Sequence, residues 1–104
     1  MKEGRVMKIG MIGTWNMGRI LAEALIDGNA VSPSSMMITN RTLTKALEIQ
    51  KIYPGLSVGK NATEVAENAD AIFVCVKPHH VLGVLETISP VLTRDKCVIS
   101  ITSP

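Results

Sequence analysis

Aromatic side chains are nearly missing from this chain of 104 residues, which has one Trp, one Tyr and one Phe, 3% of the total. Its core must therefore be built from Ile, Val, Leu, Ala and Met, the residues that raise the hydrophobic share to 46%. Such a diet suits a parallel sheet covered on both faces by helices. One-signed charge is scarce too. The net charge is +2 and no basic run exceeds two residues, which is too little to mark a nucleic-acid or anionic-membrane partner. No apolar run approaches the roughly 18 residues of a membrane span. The stretch from Met1 to Met7 is polar, with no apolar segment behind it to make a secretory leader. A soluble cytoplasmic protein is the default expectation. The only two cysteines, Cys75 and Cys97, each lie in an apolar, β-branched run and are expected to be buried free thiols. Internal repeats, low-complexity tracts, zinc-ligand spacing, a P-loop and a Ser-His-Asp arrangement are all absent from the sequence.

What is present is an alternation of strand and helix patterns over one domain's length. Val6 to Ile12 reads as a buried strand ending at Gly13. Asn16 to Asp27 reads as a helix with Met17, Leu21, Ala24 and Leu25 inward, stopped by Gly28-Asn29. Met36 to Thr39 is a second strand, and Thr42 to Ile52 a helix burying Leu43, Ala46, Leu47 and Ile49. A very short strand covers Leu56 to Val58. Asn61 and Glu64 have capping-box spacing at the head of a short helix that ends at Asn68. Ala71 to Val76 is a continuous apolar strand. Pro78 opens a helix carrying Val81, Leu82, Val84, Leu85 and Ile88, and Cys97 to Ile101 is a fifth strand. Parallel neighbours require helical crossovers, so this order predicts a Rossmann-type, doubly wound α/β fold with strand order 3-2-1-4-5. Residues 7–104 are expected to form the dinucleotide-binding domain. One such layer has no second wall for a substrate, so the chain reads as the N-terminal part of a longer protein.

The chemistry centres on Gly13-Thr14-Trp15-Asn16-Met17-Gly18, placed between the first strand and an amphipathic helix. In a dinucleotide fingerprint the first glycine permits the tight turn and the last lets helix and strand pack closely. The middle one lets the pyrophosphate reach the backbone, and the helix N-terminus supplies free N–H groups for it. Here the middle position is Trp15. Its indole either swings out over the cofactor or fills the phosphate hole.

At the end of strand two, an NAD site carries Asp or Glu to accept from the ribose 2′-hydroxyl. This chain has Asn40-Arg41-Thr42 instead. The Arg41 guanidinium suits a 2′-phosphate, which favours NADP(H) over NAD(H); the bland alternative is a capped helix with a solvated arginine. Val76, Lys77 and Pro78 follow strand four at the same carboxyl edge and are placed beside the nicotinamide ribose. Asn61 reaches that edge too, as cofactor contact or plain N-cap. His79-His80 reads as surface or first-turn histidines, because adjacent helical residues do not face one way and no carboxylate or cysteine cluster accompanies them. No metal site is expected.

The segments Met7–Thr14, Asn16-Met17-Gly18, Asn40-Arg41-Thr42, Ala69-Asp70-Ala71, Cys75-Val76-Lys77-Pro78 and Val98–Ile101 resemble, in order, the start of the pyrroline-5-carboxylate reductase family. That resemblance implies NAD(P)H-dependent reduction of a cyclic imine to proline. It assigns cofactor contacts to Gly13, Thr14, Asn16, Met17, Gly18, Asn40, Arg41, Asn61, Val76, Lys77 and Pro78. The family's imine-binding and dimer-forming residues lie mainly in a C-terminal helical domain, so no catalytic residue is assigned here and homo-oligomerisation belongs to the full-length protein. The Ile101–Pro104 ending looks more like a reductase-like competence paralogue of bacilli. This keeps open a non-catalytic regulator that senses nucleotide or binds protein partners. Another imine or β-hydroxyacid dehydrogenase with the same N-terminal half is a third reading.

Overall fold

The computed structural model describes residues 6–14 and 17–101. Among these residues, five strands alternate with four α-helices: β1 (Ile9–Ile12), α1 (Met17–Asp27), β2 (Met36–Thr39), α2 (Leu43–Ile52), β3 (Ser57–Val58), α3 (Ala62–Asn68), β4 (Ala71–Val74), α4 (Val81–Ile88) and β5 (Cys97–Ser100). All strand pairs are parallel, in the order β3-β2-β1-β4-β5. This is the Rossmann-type sheet expected from the alternation.

Period-two alternation along the strands divides the core between the two faces of the sheet. Ile9 and Met11 of β1 and Met36 and Ile38 of β2 join Ala22, Ile26, Ala46 and Ile49 from α1 and α2. On the other face, Ile12, Ile72 and Val74 meet Val65, Ala66 and Ala69 around α3, and Ile88 of α4. Gly10 allows α3 to lie close on β1, since a β-carbon there would stand 2.6 Å from a Val65 methyl and 2.7 Å from the Ala69 Cβ. Lys96 ties the end of α3 to the turn before β5, donating to the carbonyls of Glu67 and Ala69 at 3.1 and 2.7 Å. A cation there also complements the negative end of the helix dipole.

Several expectations need correction. The first strand begins at Ile9, and Val6 and Met7 stand exposed. In α1 the buried face is Gly18, Ala22 and Ile26. Met17 and Ala24 are exposed, while Leu21 and Leu25 are half-buried beside the core. The helix is apolar around most of its circumference, so two faces compete, and the small residues win because they let the axis approach the sheet. In α2, Ala46 and Ile49 are buried, while Leu43 and Leu47 stay about two-fifths exposed. Leu82 of α4 is exposed as well. Pro78 opens a 3-10 turn, Pro78–His80, that leads into α4. α4 itself ends at Ile88, ahead of Pro90, and a second such turn, Ser89–Val91, follows it. Cys75 is buried, but Cys97 is exposed because β5 is an edge strand. Among the described residues, no helix is long and apolar enough to cross a membrane.

Candidate functional site

In an open α/β sheet the ligand crevice lies outside the carboxyl ends of the strands, where the order reverses. Here that point is the flank between β1 and β4. A cleft of about 1390 Å³ opens along this edge. It is bordered by Gly13 and Thr14 after β1, Asn40, Arg41 and Thr42 after β2, Asn61 before α3, and Val76 and Lys77 after β4. These eight residues, picked from separate stretches of the sequence, share one surface. Met17, Gly18 and Pro78 do not line it; Gly18 is buried beneath the turn, and Met17 and Pro78 are exposed. Trp15 and Asn16 lie outside the described residues.

The turn after β1 is shaped by glycine for two distinct reasons. Gly13 has φ +92°, a left-handed conformation that side chains resist. A β-carbon on it would also lie 2.5 Å from the Cys75 carbonyl oxygen. Gly18 sits in the first turn of α1, where a β-carbon would meet the Gly13 carbonyl oxygen at 2.7 Å and the Cys75 Cβ at 2.8 Å. Helix, turn and the end of β4 are therefore in direct contact, with no room for a side chain. The first N–H groups of α1 have no intrahelical acceptor, and Gly13 and Thr14, on the strand side of the turn, line the cleft. This cradle fits an anion such as a pyrophosphate.

Asn40 organises the next portion. Its Oδ1 accepts from the Thr14 backbone N–H and the Thr14 hydroxyl, both at 3.1 Å. Its Nδ2 donates to the Thr42 carbonyl at 3.0 Å. Both Thr14 donors are thus engaged in holding the turn. Thr42 is the N-cap of α2 by position, yet its hydroxyl makes no capping bond. The first turn of α2 contains no acidic residue and does contain Lys45, which also borders the cleft. A cation at a helix N-terminus opposes the dipole, and an anion bound between Arg41, Thr42 and Lys45 would relieve that. Sequence reasoning passed over Lys45 and Lys60; the helix register and the cleft wall bring them in.

Asn61 caps α3, its side-chain oxygen accepting from the Glu64 N–H at 2.9 Å. Glu64 answers at 2.7 Å on the Lys60 N–H, one residue ahead of the usual capping-box partner. His79 and His80 lie in the turn after β4 and also border the cleft. Burial pushes the Cys75 thiol up to about 11, which keeps it a neutral wall group rather than a nucleophile. No group of three or more metal-ligating side chains occurs among the described residues.

Residues 8–104 match the family model described as NADP oxidoreductase, coenzyme F420-dependent. The chain is 46% identical over 98 residues to ComE operon protein 4 of Bacillus subtilis (strain 168), covering 94% of this chain and 36% of that protein. It superposes with a TM-score of 0.83 and 31% identity on a pyrroline-5-carboxylate reductase from Coxiella burnetii, covering 94% of this chain and 36% of the other. A Plasmodium falciparum pyrroline carboxylate reductase with NADP bound gives a TM-score of 0.77 at 26% identity, covering 92% and 33%. The chain thus spans about a third of the length of the proteins it matches. It belongs to the NADP oxidoreductase, coenzyme F420-dependent family, as a domain of the pyrroline-5-carboxylate reductase type.

Proposed function

We propose that this chain binds NADP(H), with the pyrophosphate on the turn from Gly13 to Gly18 and the 2′-phosphate at Arg41 and Thr42. The observation that carries this reading is the cleft itself. A glycine-shaped anion cradle and a carboxylate-free, basic end of β2 border one crevice at the switch point. Val76 and Lys77 then border the nicotinamide half, and Asn61 closes the side nearest α3. Bound there, the cofactor would supply a hydride. The protein would hold its orientation and shield one face from water, while the wall that holds a substrate belongs to a further domain. The NADP bound to the Plasmodium relative supports the choice of dinucleotide.

By family likeness the parent activity is reduction of a cyclic imine C=N bond, as in pyrroline-5-carboxylate reductases. A second reading has its own support. The 46% identity to ComE operon protein 4 exceeds the 34% to the Escherichia coli reductase, and Trp15 replaces the glycine expected at the pyrophosphate. Under that reading the domain is a non-catalytic regulator that retains the nucleotide fold. Fluorescence titration with NADPH and NADH tests the cofactor, and NADH binding without NADPH binding would overturn it. Turnover of pyrroline-5-carboxylate by the full-length protein with NADPH separates enzyme from regulator.

A further inference from the structure

The two banks of the cleft meet at one point. An Arg41 guanidinium nitrogen from the end of β2 lies 3.5 Å from Nε2 of His80, which comes from the turn after β4. At that distance the contact is at the long limit of a hydrogen bond. His80 is in turn stacked at a tilt on His79, with ring centroids 4.1 Å apart. Two basic groups facing each other across an anion-binding cleft leave a place for a shared acceptor. Resting on the proposed binding of NADP(H), we propose that His80 is a specificity-determining residue that grips the cofactor's 2′-phosphate together with Arg41.

Distance decides between a phosphate and the adenine ring as the group held there. A base stacked between the guanidinium and the imidazole needs van der Waals contact on both faces, which separates them by about 7 Å. A phosphate accepts from each nitrogen at about 2.8 Å, and donors 3.5 Å apart are already near the separation it requires. The phosphate therefore asks for little rearrangement, whereas the ring asks for the pair to part by roughly its own thickness.

The same geometry makes the grip sensitive to protonation. Desolvation holds the His80 pKa below its ordinary 6.5, and the charges of His79, Arg41 and Lys77 push in the same direction. Elsewhere on the cleft wall stand Lys45 and Glu48 of α2, Arg19 and Glu23 of α1, and Lys60. Without ligand His80 is neutral at pH 7 and suited to accept from Arg41. A bound dianion offsets the repulsion from Arg41 and raises the His80 pKa, so phosphate binding draws a proton onto the ring. NADPH affinity then rises as pH falls, and NADH affinity, with no 2′-phosphate, does not follow. One proton permits at most about tenfold per pH unit.

The test measures Kd for NADPH and NADH from pH 8 to 6.5 in the unmodified full chain and in His80→Gln, which keeps a donor but cannot titrate. The expected result is that the NADPH-over-NADH preference of the unmodified protein grows roughly three- to tenfold on acidification. In His80→Gln the preference stays level or shrinks, as the phosphate itself gains a proton near pH 6. His80→Leu should weaken NADPH more than NADH at every pH. If the unmodified chain binds neither nucleotide, the underlying cofactor assignment fails. If NADPH binds but the two pH profiles coincide, His80 has no part in the phosphate site. Equal weakening of both nucleotides in His80→Leu would place His80 on the base and overturn the proposal.

Discussion

Replacing Gly18 with alanine tests whether the close packing of α1 on the end of β4 shapes the cradle. The added methyl would stand 2.7 Å from the Gly13 carbonyl oxygen and 2.8 Å from the Cys75 Cβ. Neither neighbour is a flexible side-chain end, so the helix or the turn must shift. Overpacking of this kind costs about 1–3 kcal/mol. Against it stands the gain from placing alanine in a helix, up to about 1 kcal/mol. Gly83 supplies the reference, because it is also helical and a β-carbon there meets nothing within 4 Å. Gly83→Ala should therefore stabilise by roughly 0.5–1 kcal/mol. The propensity gain largely cancels in the difference between the two variants, leaving a gap near the overpacking cost. Urea unfolding followed by far-UV circular dichroism at constant m value measures it. For a domain of this size each kcal/mol moves Tm by about 4–8 °C. Under the proposed cofactor binding, Gly18→Ala should also weaken NADPH binding, because shifting Gly13 moves the turn on which the pyrophosphate would rest. A Gly18→Ala protein as stable as the Gly83→Ala protein would refute the packing account of the turn.

Other expectations concern single groups. Arg41→Ala should lose the charge-assisted bonds to a 2′-phosphate, about 1.5–3 kcal/mol, which appears in titrations as weaker NADPH binding with NADH almost unchanged. If the Trp15 indole fills the phosphate hole, Trp15→Gly should tighten NADPH by more than about 1.4 kcal/mol, tenfold; an unchanged Kd would place the indole outside the phosphate path. Asn61→Ala removes the cap on α3 and should cost about 1 kcal/mol in denaturant unfolding. The Cys75 pKa is raised in the fold, so the neutral thiol is the favoured form there. Its contribution to stability is complete below about pH 9 and fades toward pH 11, a loss that should be smaller in Cys75→Ala. In the same native protein, alkylation read by mass spectrometry should modify the exposed Cys97 well before Cys75.

The element order and the sheet order were legible because each strand–helix repeat imposes a parallel crossover. The face of α1 was not. Met17, Leu21, Ala24 and Leu25 satisfy helical spacing as well as Gly18, Ala22 and Ile26 do, and hydrophobicity favours the first set. Contact distance favours the second, and contact distance is a property of the sheet. Cys97 escaped for a related reason, since an apolar run does not reveal that its strand ends up at an edge. Around the cleft, glycine and asparagine positions were readable because backbone geometry limits what can stand there. Lys45, Lys60 and His80 were not, because a charged residue on a helix or turn reads as solvated until the opposite bank of the cleft is in place. The pairing of Arg41 with His80 spans 39 positions in sequence and has no local signal.

Asn40 carries a consequence for how such a domain can change its cofactor. One carboxamide braces the turn after β1 through Thr14 and, with its other end, the start of α2 through Thr42. The usual route from NADP to NAD installs a carboxylate at the end of this strand. Asn40→Asp would add the charge but delete the Nδ2 donor, so the same exchange that rejects a 2′-phosphate would release the Thr42 carbonyl. Under the proposed NADP(H) binding, nucleotide choice and turn rigidity would thereby change together. A lineage altering the first must rebuild the second, most simply by placing its acid at a neighbouring position and leaving this amide in place.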